Sequence, residues 1–79
     1  MPWLDVIWTR ENRRHIGEHG IKAREVEEVL REPSSEGVSR TSGMPVVFGY
    51  TKGGRWLCVV YARIDEITVY PITAYEVED

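Results

Sequence analysis

Residues 46–63, with the sequence VVFGYTKGGRWLCVVYAR, constrain the fold of this chain more than any other segment. Two apolar runs rich in Val and aromatic residues flank the break Lys52-Gly53-Gly54. Such runs on either side of a short glycine-containing connection predict a β-hairpin, and the glycines supply the positive φ values that the turn needs. We therefore expect two antiparallel strands at the centre of the fold.

The second strand of this hairpin has two chemically different faces, because side chains alternate along a strand. One face carries Arg55, Leu57, Val59, Tyr61 and Arg63, and the other carries Trp56, Cys58, Val60 and Ala62. The second face contains no charge, so we expect helices to cover it and to bury Trp56 and Val60. The face with the two arginines is then expected to be open, although Leu57 and Val59 also favour burial.

Two short helices are predicted before the hairpin. Thr9 can cap the first, over residues 10–18, and the pair His19-Gly20 ends it, since Gly is common just past a helix. The second helix spans about residues 23–31. Its apolar stripe, at the i, i+3, i+4 spacing of a helix, consists of Val26, Val29 and Leu30. We expect this stripe to face the sheet.

The remaining segments complete the predicted topology. Residues 1–8 and 67–72 are predicted strands, whereas residues 32–44 are rich in Ser, Gly and Pro and predict a loop. Pro71 cannot donate a ladder hydrogen bond, so it indicates a sheet edge or a strand end. The order β-α-α-β-β-β predicts a single α+β domain over residues 1–79, with two helices packed on one face of a small antiparallel sheet. The large side chains expected in its core are Trp3, Trp8 and Trp56.

The length, cysteine count and hydropathy pattern favour a cytoplasmic protein. A chain of 79 residues has room for one modest core. Its single cysteine, Cys58, excludes an internal disulfide and suits a reducing compartment. No run approaches the ~20 apolar residues of a membrane span, and the N-terminus does not resemble a signal peptide. We therefore expect no membrane association.

Charge is distributed unevenly along the chain. The net charge is −3, yet residues 38–63 contain four basic residues and no Asp or Glu, a formal charge of +4. These four residues, called the basic island below, are Arg40, Lys52, Arg55 and Arg63. The acidic pI of about 5.3 argues against indiscriminate nucleic-acid binding. A local concentration of cations nevertheless predicts a site for phosphate groups or for an acidic partner.

Several short motifs occur in order along most of the chain. They are Trp8, Asn12, His15, His19-Gly20, VEEVL at residues 26–30 followed by Pro33, FGYTKGGRWLCVVY in the hairpin, and YPITA at residues 70–74. In this ordered set, which covers residues 8–77, the chain resembles BrnT-type proteins, the toxins of bacterial toxin–antitoxin pairs with a RelE-like fold. The resemblance implies a metal-independent endoribonuclease that acts without the ribosome. It also implies a small antitoxin that neutralises the toxin and binds operator DNA.

The resemblance also assigns site residues. The basic residue that the family carries after the glycine turn falls on Arg55, and the one at the end of that strand falls on Arg63. The family's His-Gly position falls on His19-Gly20. Many members carry Arg where this chain has Tyr75, so the resemblance implies weakened ribonuclease activity here.

RNA cleavage without a metal ion needs a proton acceptor, a cation beside the pentavalent phosphate and a proton donor. The predicted catalytic residues are Arg55, Arg63 and His19, with His15 as the alternative histidine. The predicted substrate-binding residues are Arg40, Lys52, Tyr50 and Tyr61, with Tyr70 as a further aromatic candidate. In these roles the cations bind phosphate, and the tyrosines stack on bases or donate a proton.

No cofactor and no metal are predicted. The residues from His15 to His19 do fit the H-x-x-E-H pattern of one zinc peptidase class. However, Gly17 disfavours a helix interior, and no convincing third ligand follows. These histidines are therefore expected to pack and to cap a helix rather than to bind zinc.

A second function stays open beside the endoribonuclease. The alternative is a catalytically inactive RelE-like module whose open sheet face holds an acidic or peptide partner. The acidic pI and Tyr75 favour the binding module, whereas the basic island favours the nuclease. In both cases we expect a complex, either with an antitoxin-like chain or with a second copy, because partners often help to stabilise so small a core.

Overall fold

The hairpin predicted at residues 46–63 forms the centre of a five-stranded mixed sheet. The computed structural model describes residues 4–78. The elements in chain order are β1 (Asp5–Val6), α1 (Arg10–Gly17), α2 (Ala23–Arg31), β2 (Ser35–Val38), β3 (Pro45–Tyr50), β4 (Trp56–Arg63) and β5 (Thr68–Glu76). The strands lie in the order β1-β5-β4-β3-β2. In this part of the chain, no helix is long and apolar enough to cross a bilayer.

The α+β class is confirmed, but the predicted strand order and the purely antiparallel sheet are wrong. β2 forms an additional edge strand within residues 32–44, the segment predicted to be a loop, and it pairs antiparallel with β3. Its sequence, SEGV, has low β propensity, so this strand depends on backbone pairing to β3 more than on its own side chains. β1 runs parallel to β5, which makes the sheet mixed.

The predicted signals at both ends of α1 are present. Thr9 Oγ1 accepts a hydrogen bond from the Asn12 N–H at 3.1 Å, and Asn12 Oδ1 accepts one from the Thr9 N–H at 2.7 Å. This reciprocal pair is a capping box, which satisfies two backbone donors that have no partner within the helix. Gly20, at φ +75°, reverses the chain after α1 in the left-handed conformation that favours glycine.

The apolar stripe of α2 faces the sheet, as predicted. Val26 and Val29 are fully buried, and Leu30 is 6% exposed. All three belong to one core cluster with residues from β3, β4 and β5. Truncation of Leu30 to Ala is therefore expected to cost about 2–5 kcal/mol, the range for a large core side chain.

The helices cover the face of β4 that was predicted to be open. The core side chains on this face are Leu57, Val59 and Tyr61. Trp56 and Val60 lie on the opposite face and stay partly exposed, so the prediction of their burial is wrong. The physical reason is that Glu25 and Glu76 pair with Arg55 and neutralise its charge. Arg55 can therefore lie on the face that the helices cover.

β5 is longer than predicted and contains an irregularity. It spans residues 68–76 instead of 67–72. The register between β4 and β5 shifts between Val60 and Tyr61, where Tyr61 pairs with Pro71. β5 lies between β1 and β4 in the strand order, but β1 pairs with it only at Thr68 and Val69. Pro71 therefore lies beyond the end of β1, and the predicted edge position holds locally on that side of β5. The Pro71 carbonyl accepts from Asn12 on that side, so its missing N–H faces away from β4 and the ladder to β4 loses no hydrogen bond.

Asn12 joins α1, β1 and β5 around this bulge. Its side chain is 3% exposed, and Nδ2 donates to the carbonyl of Pro71 at 2.9 Å and to that of Ile7 at 3.0 Å. β1 pairs with β5 only as far as Val69. The amide of Asn12 therefore takes over as hydrogen-bond donor where the strand ladder stops.

The prediction that all three tryptophans lie in the core turns out differently for each of them. Trp8 is partly buried, packs against the core and donates from Nε1 to Glu27 Oε2 at 2.7 Å. Trp56 lies on the face away from the helices. Trp3, like the first two residues of the predicted N-terminal strand, lies outside the described residues.

Candidate functional site

Arg55 sits immediately before β4 and ties three segments together. Its Nη1 lies 3.1 Å from Glu25 Oε1 on α2 and donates to the Gly20 carbonyl at 3.2 Å. Its Nη2 lies 3.1 Å from Glu76 Oε1 at the end of β5. The hydrogen bonds that Arg55 donates to Glu76 are the main reason that the pKa of Arg55 is raised. The guanidinium is thus occupied by carboxylates of the same chain.

Arg63 lies at the other end of β4. Its Nη1 donates to the backbone carbonyls of Asp65 and Glu66 at 3.3 and 3.1 Å, which fixes the turn before β5. Arg63 and Arg55 are eight residues apart along an extended segment, or about 26 Å at ~3.3 Å per residue. The two arginines predicted to share one phosphate therefore cannot contact it together.

The other two members of the basic island are also dispersed. Lys52 lies in the β3–β4 turn, where its backbone N–H donates to Glu28 Oε1 at 3.0 Å. Arg40 lies in the loop between β2 and β3, beside the face of the sheet opposite the helices. The +4 charge that is contiguous in sequence does not form one surface patch.

The predicted aromatic and histidine residues separate in the same way. Tyr61 is 5% exposed beneath the helices, so its ring is not available to stack on a base. Tyr50 is 60% exposed on the other face. His19 is exposed after α1, with its ring centroid 5.7 Å from that of His15. Because Gly20 accepts a hydrogen bond from Arg55, His19 and Arg55 are the only predicted catalytic pair brought to one corner.

A groove of about 570 Å³ runs between α2 and the β3–β4 turn, and it includes Lys52 and Tyr50. Its charged lining consists of Arg24, Arg31, Lys52, Glu27, Glu28 and Glu32. Burial alone would raise the pKa of Glu27, but the hydrogen bonds from Arg31 and Trp8 lower it overall. With three cations and three carboxylates, this groove has no net charge to attract a nucleic-acid backbone.

A second groove, of about 400 Å³, lies between α1 and β5 and contains residues that the sequence pattern ranked lower. The side chains of chemical interest in this groove, called the His15 groove below, are Arg14, His15, Glu18 and Tyr70. His15 Nδ1 lies 3.9 Å from Glu18 Oε1. The Tyr70 hydroxyl lies 3.3 Å from Thr9 Oγ1. The groove brings together a cation, an imidazole and a phenol, which share no sequence motif.

The face of the sheet opposite the helices carries a cluster of aromatic side chains. The strand register places on this face, called the aromatic face below, Val46, Phe48, Tyr50, Trp56, Cys58, Val60, Thr73 and Tyr75. Trp56 lies between two rings, with centroids 6.3 Å from Phe48 and 4.5 Å from Tyr50. Tyr75 is 42% exposed. No helix of residues 4–78 covers this surface.

Cys58 lies on the aromatic face beneath Tyr75. Burial raises the pKa of the Cys58 thiol, and its hydrogen bond to Tyr75 offsets only part of this. The same hydrogen bond raises the pKa of Tyr75. Cys58 is therefore a protonated and unreactive thiol. Tyr75, the position at which many BrnT-type proteins carry Arg, lies on the face of the sheet away from Arg55.

Among residues 4–78, no three His, Cys, Asp or Glu side chains are grouped so as to hold a metal ion. No protein-family model, curated protein or solved structure matches the chain.

Proposed function

We propose that this chain is a RelE-like binding module that holds a protein partner on the aromatic face. The observation that carries the proposal is the row of rings from Phe48 through Trp56 to Tyr50 on the face away from the helices. Tyr and Trp are the side chains most often found at the energetic centre of protein interfaces. Cross-strand ring pairs stabilise a sheet by only about 0.2–1 kcal/mol each. Large exposed apolar patches commonly mark interaction sites.

The placement of the predicted cations favours binding over catalysis. Arg55 is held by Glu25 and Glu76, and Arg63 is engaged with the turn that follows β4. A phosphoryl transition state needs preorganised cations that converge on one point. In this protein, the two arginines instead stabilise opposite ends of the same strand.

The partner that the resemblance implies is an antitoxin-like chain in the cytoplasm. A second copy of this chain is the alternative occupant. Both are proteins, so both are compatible with an interface built on aromatic side chains. The two differ in stoichiometry, which sedimentation equilibrium of the isolated protein resolves.

A photo-crosslinking scan tests the binding proposal. Benzoylphenylalanine would replace Tyr50 and Tyr75 on the aromatic face in separate variants, with Arg24 on α2 as the matched exposed control. In cells of the organism of origin, we expect both tyrosine positions to give an adduct with the same protein, and the Arg24 position to give none. Adducts only from the Arg24 variant, or only with nucleic acid, would contradict the proposal.

A metal-independent endoribonuclease is the second candidate function, and the His15 groove is the observation that favours it. Arg14 can contact a phosphate there, and His15 and Tyr70 can accept and donate protons. Against this candidate, Glu11 and Glu18 also line the groove and repel a phosphate. This assignment differs from the set predicted from sequence, because it replaces Arg55, Arg63 and His19 by residues that line one groove.

Cleavage of a defined RNA in the presence of EDTA tests this candidate. If the groove is catalytic, His15→Ala reduces cleavage by about 10²–10⁴-fold. The matched variant His19→Ala leaves cleavage unchanged, since His19 does not line the groove. The resemblance further predicts that Tyr75→Arg raises both the rate of cleavage and the toxicity to growing cells. If folded wild-type protein and folded Tyr75→Arg both cleave RNA no faster than background, the nuclease proposal is rejected and the binding module remains.

A further inference from the structure

Gly37, in the middle of the edge strand β2, has no evident role in the fold. Its φ is not positive, so the backbone does not require glycine there. A Cβ at this position would meet only Val46 Cγ2, at an ordinary contact distance of 3.7 Å. Glycine within a strand costs about 0.5–1 kcal/mol relative to alanine. A glycine that neither the backbone nor the packing requires often marks a place where another backbone approaches closely.

Gly37 opens a groove of about 340 Å³ along the edge of the aromatic face. This groove is called the Gly37 groove below. Its lining includes Gly37, Arg40, Val46, Phe48, Val60 and Tyr75. Its described lining includes no Asp or Glu. Arg40 has no hydrogen-bond or ion-pair partner within residues 4–78. The groove thus combines apolar side chains and hydroxyl groups with a single uncompensated cation, in a protein whose net charge is −3.

The strand that borders this groove is available for pairing. β2 is the last strand of the sheet on that side, and all four of its residues are exposed. It contains no Lys and no Pro, residues that commonly protect an edge from pairing, and its one charged residue, Glu36, is paired with Val47 and so lies on the face opposite the groove. Val38, next to Gly37, is 68% exposed although it is apolar.

We propose that the Gly37 groove binds an extended acidic segment of a partner protein, which adds a strand to β2 over Gly37 and pairs a carboxylate with Arg40. This inference rests on the proposed binding function and names the chemistry of the partner. An added strand forms main-chain hydrogen bonds to the free edge of β2, and its alternate side chains enter the groove. The uncompensated charge of Arg40 selects Asp or Glu over Lys or Arg at the position that faces it.

Selection from a phage library of random peptides of about twelve residues, with the intact protein as target, tests the inference. We expect the enriched peptides to alternate apolar and polar residues and to contain Asp or Glu. A synthetic copy of the most enriched peptide is then titrated by fluorescence anisotropy. Methylation of alternate amide nitrogens that face β2 should reduce its affinity at least tenfold, whereas methylation of the intervening nitrogens should not.

Two variants locate the site on the protein. Gly37→Leu fills the groove and should reduce affinity for the peptide at least tenfold, with Gly17→Ala, which meets no neighbouring atom, as the matched control. Arg40→Glu should reduce affinity to the same extent and shift a repeat selection toward basic peptides. Arg10→Glu, an exposed charge reversal on α1, should do neither. Circular dichroism and thermal melting verify that each variant is folded.

The outcomes separate this inference from the proposed function. No enriched peptide, peptides of helical periodicity, or affinity unchanged by both Gly37→Leu and Arg40→Glu would overturn the inference. If crosslinking from Tyr50 and Tyr75 still captures one protein, the proposed binding function is retained and only the proposal of strand addition at β2 is wrong. Binding of a single-stranded oligonucleotide in place of peptides, lost in Arg40→Glu, would overturn both.

Discussion

Replacement of Asn12 by alanine is the sharpest test of how this small fold holds its bulged strand. The substitution removes two hydrogen bonds that Nδ2 donates, to Ile7 and Pro71, and one that Oδ1 accepts from the Thr9 N–H. A fourth, from the Thr9 hydroxyl to Oδ1, is not counted, because that hydroxyl also lies 3.3 Å from the Tyr70 hydroxyl. Each bond contributes about 0.5–1.5 kcal/mol net, so the loss is roughly 1.5–4.5 kcal/mol and centred near 3. A domain of this size loses about 4–8 °C in Tm per kcal/mol, which predicts a decrease of roughly 12–24 °C.

Urea denaturation followed by circular dichroism measures this loss as a lower midpoint at an unchanged slope. Asn12→Asp separates the donated bonds from the accepted one, because a carboxylate keeps the shape and the bond from Thr9 but cannot donate. Facing two carbonyls, the new carboxyl group is expected to have a higher pKa in the folded protein than in the unfolded chain. Asn12→Asp should therefore regain stability below its unfolded pKa, about 3.9, and lose it as the pH rises through the folded value.

The control for Asn12 is Arg14→Ala, an exposed position on the same helix, which should change stability by no more than about 0.5 kcal/mol. An Asn12→Ala variant within about 0.5 kcal/mol of wild type would refute the assignment of Asn12 as the donor that replaces the strand ladder.

Three further predictions follow from individual contacts. Gly49→Ala should destabilise the protein by about 1–3 kcal/mol in urea denaturation, because its Cβ would lie 3.2 Å from Val29 Cγ1 and 3.5 Å from two backbone atoms; an unchanged midpoint would show that α2 shifts freely. The pKa of Glu27 is lower in the folded protein than in the unfolded chain. The stability that Glu27 contributes is therefore present above its unfolded pKa of about 4.3 and is lost as the pH falls through the folded pKa. Glu27→Gln should therefore make acid unfolding less steep, and an identical acid transition would contradict the pairing. Cys58 should react with Ellman's reagent only as fast as the protein opens, because its side chain is 2% exposed; a native rate close to that in urea would disprove its burial.

The helices were predictable from sequence because their signals are local. The cap at Thr9, the left-handed Gly20 and the stripe on α2 each involve residues within one or two helical turns. The same holds for the hairpin turn, in which Gly54 adopts φ +88°. These features do not depend on what the rest of the chain does.

The orientation of the sheet was not predictable, because it depends on contacts between residues distant in sequence. The charge of Arg55 indicated an exposed face, yet its partners Glu25 and Glu76 lie 30 and 21 residues away. Once the ion pairs form, Leu57 and Val59 follow Arg55 to the helix side by simple alternation. Strand β2 was missed for a related reason, because its pairing partner supplies the order that its own sequence does not favour.

The candidate site was only partly predictable. Sequence reasoning identified Tyr50 and Arg40 as binding residues, and they lie on or beside the aromatic face. It also grouped four cations by their proximity in sequence, and the strand geometry separates them by the length of β4. Phe48 and Trp56 were not assigned to the site, because aromatic residues in a hairpin are ordinarily expected in the core.

The most direct test of the central claim compares the aromatic face with the basic island in one binding measurement. The partner identified by crosslinking would be titrated calorimetrically against wild type, the double variant Tyr50→Ser/Tyr75→Ser, and Arg63→Ser. Interface residues of hot-spot strength contribute at least about 2 kcal/mol, so the account predicts an affinity loss of about 30-fold or more for the double variant. For Arg63→Ser it predicts an affinity loss of less than about 3-fold, the small effect expected of a charge outside the centre of an interface. A large affinity loss for Arg63→Ser, with the tyrosine variant close to wild type, would contradict the account. It would show that the cations of the basic island, and not the aromatic face, bind the partner.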